Sequence, residues 1–153
     1  MPELPEVEFA AKRLREAVVG HVIASLEPLH PSQHKHLPAA ACQAVKGLTI
    51  ARVERRAKIQ LVHLHDGSVL EVHFRMTGDW TFTGVGDDPP RHERVRLDTT
   101  DGVRVSLVDG RALSVVRLHA PGALVLPKIG PEPLTDDFTV DGFRAALTRR
   151  SGP

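Results

Sequence analysis

The sequence predicts a mainly β protein of the α+β class, an antiparallel β-sandwich with flanking helices. Three observations predict it. Apolar residues recur at a spacing of two through the middle of the chain, Asp-Gly pairs separate those runs, and helical spacing is confined to the two ends and one alanine-rich stretch. With 153 residues and 41% hydrophobic content the chain is the size of one ordinary domain, able to bury roughly two-thirds of the surface its unfolded form exposes.

After Pro5, residues Val7, Ala10, Ala11, Leu14 and Val18 share one helical face that stops at Gly20, the residue type that most readily follows a helix. Residues 21–27 read as a strand, residues 28–38 as a polar loop containing prolines, and the alanines beyond as a short helix ending near Gly47. The period then changes to two. Leu48, Ile50 and Val53 mark one strand, Ile59, Leu61 and Leu64 a second, and Asp66-Gly67 turns the chain into a third over residues 69–74. Asp101-Gly102 joins strands over residues 95–99 and 103–108, with further short strands expected over 113–118 and 123–126. Residues 84–90, rich in glycine, aspartate and proline, predict a mobile surface loop. Val140, Phe143 and Leu147 predict a last helix over residues 139–149, weakened at Gly142 by about 1 kcal/mol relative to alanine. The chain thus divides into a sandwich domain, residues 1–138, and a helix with linker, residues 139–153.

Composition narrows the function classes. Twenty basic residues face 19 acidic ones for a net charge of +1, so overall charge gives no sign of a nucleic-acid partner and any such contact must come from local clustering. The lone Cys42 excludes an internal disulfide, and without a second cysteine the nine histidines lack the usual zinc spacings. Neither a metal nor a cofactor is expected in this chain. There is no run of eighteen apolar residues and no basic-then-apolar leader; a soluble, cytoplasmic monomer with no membrane contact is expected.

Specific chemistry enters with four ordered motifs. Met1-Pro2-Glu3-Leu4-Pro5-Glu6-Val7-Glu8 opens the chain, followed by Arg55-Arg56-Ala57-Lys58, by His73-Phe74-Arg75-Met76-Thr77-Gly78, and by Ile129-Gly130-Pro131-Glu132-Pro133-Leu134 with Asp136-Asp137-Phe138 close behind. Together they resemble the formamidopyrimidine-DNA glycosylases, which excise oxidised purines from DNA, in order and spacing over essentially the whole chain. The resemblance implies a first helix that carries the catalytic residues. It implies that Met1 is removed and that the freed Pro2 amine attacks the sugar carbon bearing the damaged base, giving an iminium from which base loss and strand cleavage proceed. An α-amino group ionises near ~7.7–8.0 against about 10.4 for a lysine, so it supplies the unprotonated amine more readily. Glu3 resembles the carboxylate that moves protons at the sugar, Glu6 its support, and Lys58 a strand lysine that contacts phosphate close to the amine. His73 resembles a phosphate-contacting histidine, and Met76 the wedge that fills the gap left by the extruded nucleotide. The partner implied is double-stranded DNA containing oxidised bases or abasic sites, at the bacterial nucleoid.

Each residue also has a plainer reading. Glu3, Glu6 and Glu8 could serve only the positive end of the helix, worth about 0.3–1 kcal/mol each; Lys58 could line a solvated strand, His73 be a satisfied surface histidine, and Met76 belong to the core.

The pattern also breaks. At Asp109-Gly110-Arg111-Ala112-Leu113-Ser114 the family has aspartate, proline, two arginines, phenylalanine and glycine, so Arg111 keeps the arginine facing the orphaned base while Leu113 replaces an intercalating aromatic. That loss is worth about 1–3 kcal/mol of stacking. At Arg91-His92-Glu93-Arg94, His92 is kept as a DNA-contact candidate. The family's helix-two-turns-helix motif and zinc finger follow the segment corresponding to Arg149-Arg150 and have no counterpart here, which implies weak, salt-sensitive DNA binding. Whether the chain acts as an enzyme is left open between a glycosylase/lyase domain, a non-catalytic damaged-DNA-binding module or inactive fragment of the same family, and an unrelated interaction sandwich.

Overall fold

The structure is a computed structural model that describes residues 2–126. Met1, the motif at residues 129–138, the helix expected over 139–149 and the boundary expected after residue 138 lie outside the described residues.

Helix α1, Leu4–Val18, starts where Pro5 presets the backbone and buries Val7, Ala10, Ala11, Leu14 and Val18 on one face. Val19 turns extended, and Gly20 follows at φ 87°. Strand β1, Ile23–Pro28, leads to two short helices, α2 (Pro31–His34) and α3 (Ala39–Ala44). Seven strands follow: β2 (Ile50–Arg56), β3 (Ile59–Leu64), β4 (Val69–His73), β5 (Asp79–Gly84), β6 (Glu93–Thr99), β7 (Val103–Val108) and β8 (Val115–His119).

The strands form two four-stranded antiparallel sheets, in the orders β1-β6-β7-β5 and β2-β3-β4-β8. Ile23, Leu26, Val53, Leu64, Leu70, Leu107 and Val116 from both sheets join one buried core, which α1 extends by packing against β2 and β5. Each such side chain contributes about 1.5–3 kcal/mol on full burial. Trp80 packs edge-on to Phe74 at 5.3 Å, and its indole N–H donates to the buried Gln60 amide oxygen at 2.8 Å.

Three expectations are corrected. Residues 28–38 are not all loop: Pro31 opens α2, with the His30 imidazole accepting the Ser32 N–H at 3.2 Å as its cap. Strand β5 was not expected, although Trp80 and Phe82 alternate with threonines in the strand manner. Residues 123–126 are not strand, and the strand expected over 113–118 starts at Val115, leaving Leu113 in the preceding loop.

Register places the functional segments together. Ile59 pairs with His73 and His73 with Val115 in one sheet, while Val108 faces Asp79 on one side and Glu93 on the other in the second sheet. The β2–β3 turn, the β4–β5 loop, the β7–β8 loop and the approach to β6 therefore share one end of the sandwich. Gly78 closes the β4–β5 loop tightly; a Cβ there would lie 2.8 Å from the Phe74 carbonyl oxygen.

Candidate active site

Pro2 and Glu3 precede α1 rather than lying in it. Glu3 is the helix N-cap, extended at φ −87°, and its backbone N–H donates to the Glu6 carboxylate at 2.7 Å. For Glu6 the helix-end reading thus holds, and its carboxylate fixes the chain beside Pro2. The Glu3 side chain remains largely exposed and meets Lys58, with Nζ 3.5 Å from Oε2.

Lys58 is a turn residue, not a strand residue: Arg56 pairs with Ile59, so Ala57 and Lys58 alone make the β2–β3 turn. Ala57 sits at φ 51°, a conformation that costs a residue with a Cβ roughly 1–2 kcal/mol. Arg55 holds it there. Its buried guanidinium donates through Nε to the Glu8 carboxylate of α1 and through Nη1 to the Ala57 carbonyl at 2.9 Å. The helix and the turn are clamped together, and the clamp delivers Lys58 to Glu3.

Two clefts meet at Met76. One is lined by Pro2, Pro5, Glu6, Phe9, Arg13 and Met76. Phe9 is 61% exposed, and the Arg13 guanidinium lies 5.8 Å from its ring centre and 4.9 Å from that of Phe82, so an exposed aromatic backed by a cation shares the cleft with Pro2. The other is lined by His36, His73, Arg75, Met76, Leu113 and Arg117, with no acidic residue among its described lining. Met76 at 38% and Leu113 at 45% exposure are surface residues, so the core reading of Met76 fails.

His73 ends β4, and its Nδ1 accepts the Arg75 backbone N–H at 3.1 Å. Burial pushes this imidazole below the usual histidine range; the Arg75 and Lys58 cations push the same way, against Glu71. With Nδ1 accepting, the neutral ring carries its proton on Nε2, as a donor. Burial, with Arg117, Lys35 and Arg75, lowers His36 similarly.

His92 and Arg111 line neither cleft but join the same end through Asp109. This aspartate is 1% exposed. Its carboxylate accepts the Thr77 hydroxyl and the backbone N–H groups of Arg111 at 3.1 Å, Leu113 at 2.8 Å and Ser114 at 2.7 Å. Its own N–H donates to the His92 carbonyl at 3.0 Å, and its carbonyl accepts Arg94 Nε at 2.7 Å. Burial pushes the Asp109 carboxyl up, but the hydrogen bonds from Thr77, Ser114 and Arg111 outweigh it and hold the group below the usual carboxylate range. The buried Gln33 of α2 braces the loop by donating to the Ser114 carbonyl at 2.7 Å.

The structure therefore brings Pro2, Glu3, Glu6 and Lys58 together, and His73, Met76 and Leu113 along an adjoining basic cleft. Phe9, Arg13, Arg55, Arg75 and Arg117 were not singled out from sequence. In the sequence Arg55 stands out only as part of a basic motif, and Asp109 only as a position that matches the family pattern. Among the described residues no group of three or more His, Cys, Asp or Glu could hold a metal ion, and no helix is long and apolar enough to cross a membrane.

Comparison with known proteins gives the family. The family model for the formamidopyrimidine-DNA glycosylase N-terminal domain matches residues 1–116. Formamidopyrimidine-DNA glycosylase of Paracoccus denitrificans is 37% identical, the match covering 100% of this chain and 58% of the relative; that of Herpetosiphon aurantiacus is 35% identical over 99% of this chain and 57% of the relative. The chain thus spans under three-fifths of the length of these relatives. The Lactococcus lactis enzyme, solved non-covalently bound to DNA containing an AP site, superposes with a TM-score of 0.82 at 29% identity over 97% of this chain and 58% of that one. Its complex with FAPY-dG-containing DNA superposes at 0.71 with 25% identity over 76% of this chain and 43% of that one. Sequence and architecture agree, and the chain belongs to the formamidopyrimidine-DNA glycosylase family, of which it carries the N-terminal domain.

Proposed function

We propose that this chain supplies the chemical half of a DNA-repair glycosylase/AP lyase acting on double-stranded DNA with oxidised bases or abasic sites. The observation that carries the reading is the Glu3–Lys58 pair, 3.5 Å apart and one residue from Pro2. Once Met1 is removed, Pro2 bears a free secondary amine. Its nitrogen bonds to the sugar carbon as the bond to the base breaks, the proton given up by the amine leaves with the base, and opening of the sugar gives an iminium. Glu3 gives a proton to the departing sugar oxygen and takes one back in the elimination that cleaves the strand. Lys58 holds a phosphate beside them, and the neutral His73 donates from Nε2 to a neighbouring one. Met76, at the meeting of the two clefts, and Leu113, in the second of them, fill the gap in the duplex, Arg111 faces the orphaned base, and His92 is a further DNA contact. None of these steps uses a metal or cofactor held by this chain. A cytoplasmic monomer suits the role.

Binding of damaged DNA without turnover is the second reading. Leu113 favours it, because an aliphatic wedge stacks poorly where the family has an aromatic ring. Borohydride trapping on a duplex with one abasic site separates the two, after mass spectrometry has established that Met1 is gone. A covalent adduct, lost in Pro2→Gly and slowed in Glu3→Gln, supports the enzyme. Binding with no adduct supports the second reading.

A further inference from the structure

Four described residues other than glycine adopt the left-handed backbone: Ala57, Arg75, His92 and Ala112. Each is, or adjoins, a residue proposed to touch DNA: Ala57 precedes Lys58, Arg75 precedes Met76, and Ala112 lies between Arg111 and Leu113. Such conformations persist only where the surroundings over-determine them. Arg55 secures the first through the Ala57 carbonyl. The other three lie in separate segments with one common anchor. Asp109 takes the Thr77 hydroxyl from the β4–β5 loop, hydrogen bonds to the His92 carbonyl through its own N–H, and accepts the N–H groups of Arg111, Leu113 and Ser114.

We infer that Asp109 is the positioning residue for duplex interrogation: its single buried carboxylate sets Met76, Arg111 and Leu113 in mutual register so that they enter the duplex as one unit, while its backbone N–H ties the His92 segment to the same loop. The inference rests on the functional reading above. The geometry explains why one acid is needed: two oxygens accept one hydroxyl and three backbone N–H donors, four bonds that an amide of the same shape cannot all accept, because its NH₂ presents donors to donors. Asp109 does not reach the Pro2–Glu3–Lys58 cluster, which Arg55 and Glu8 hold separately. Wedge placement and strand gripping are therefore separable: the first matters for a duplex, whose stack must be entered, and the second for a single strand as well.

The test compares affinities of the full chain for a duplex and for a single strand, each carrying one tetrahydrofuran abasic analogue. Asp109→Asn is expected to weaken duplex binding about tenfold or more and to leave single-strand binding within about twofold. Thr77→Val removes one of the four bonds and should lower duplex affinity by a smaller factor of about three to five, which Thr77→Ser, keeping the hydroxyl, recovers. If Asp109→Asn does not fold, the Thr77 pair decides alone. Equal losses on both ligands would reduce Asp109 to a general structural role and overturn the inference, as would no loss on either. A wild-type chain that binds the lesion duplex no better than an undamaged duplex would instead overturn the functional reading, and the inference with it.

Discussion

The β2–β3 turn beside the amino terminus and the β7–β8 loop lie at the same end of the sandwich and are built in opposite ways. Around the turn the acting groups are open: the Glu3 side chain is 70% exposed and that of Lys58 33%, and one ion pair of 3.5 Å joins them. Around the loop the acting groups, Arg111 and Leu113, are exposed, but the carboxylate that arranges them is sealed from water and saturated with hydrogen bonds. On the proposed function, an amine and a carboxylate that exchange protons with a substrate need room and solvent, and a wedge needs a fixed position. The difference in burial follows the difference in task.

Five experiments test this contrast. The largest effect is expected at the open end. An N-terminal extension that retains Met1 turns the Pro2 nitrogen into an amide, and borohydride trapping should fall to background while DNA binding persists. Trapping that survived would move the chemistry away from Pro2. At the sealed end, Asp109→Ala leaves buried N–H groups without acceptors and should cost on the order of 3 kcal/mol in urea unfolding.

The sealed carboxylate also predicts a pH dependence. Asp109 has a folded pKa below its ordinary value; its contribution is therefore complete above the unfolded carboxylate range, about 3.9, and is lost as pH falls through the lower folded value. Asp109→Asn should flatten that acid limb of the stability curve, and an unchanged limb would show that the carboxylate is not what the folded state protects.

Glu8→Gln tests the clamp between the two regimes. Glu8 is 37% exposed, so the charge lost from its bond to Arg55 is screened and about 1 kcal/mol of stability is expected to go, with slower trapping as Lys58 loses its support. A trapping rate unchanged in Glu8→Gln would detach the clamp from the chemistry. Lys58→Gln should have the smallest effect on stability, within about 0.5 kcal/mol, while the slope of log affinity against log salt decreases by about one.

Local pattern made most of the fold legible. The α1 face, the Asp66-Gly67 and Asp101-Gly102 turns and the period-two runs are properties of neighbouring residues, and the structure keeps them. Strand β5 had the signal, in Trp80 and Phe82, but a preceding glycine and a glycine-rich continuation obscured it. Helix α2 is capped by a histidine, a residue outside the usual capping set. In the site, Pro2, Glu3 and Lys58 were found through the family resemblance rather than through any physical pattern of their own. Arg55 and Asp109 escape a sequence reading because their importance lies in what they touch across the fold: Arg55 bonds a helix residue and its own turn, and Asp109 bonds a hydroxyl in the loop before β5, the neighbour of β7 in the sheet but 32 residues back along the chain. No spacing along the chain announces such bonds.

On the proposed function, the Pro2 amine, not the neighbouring Lys58 amine, performs the chemistry at the open end. The most direct measurement is peptide mapping by tandem mass spectrometry of the borohydride-reduced adduct formed on abasic DNA. The added mass is expected on the nitrogen of Pro2, in the amino-terminal peptide, and none on Lys58. An adduct on Lys58, or none at all from a chain whose Pro2 is exposed, would contradict it.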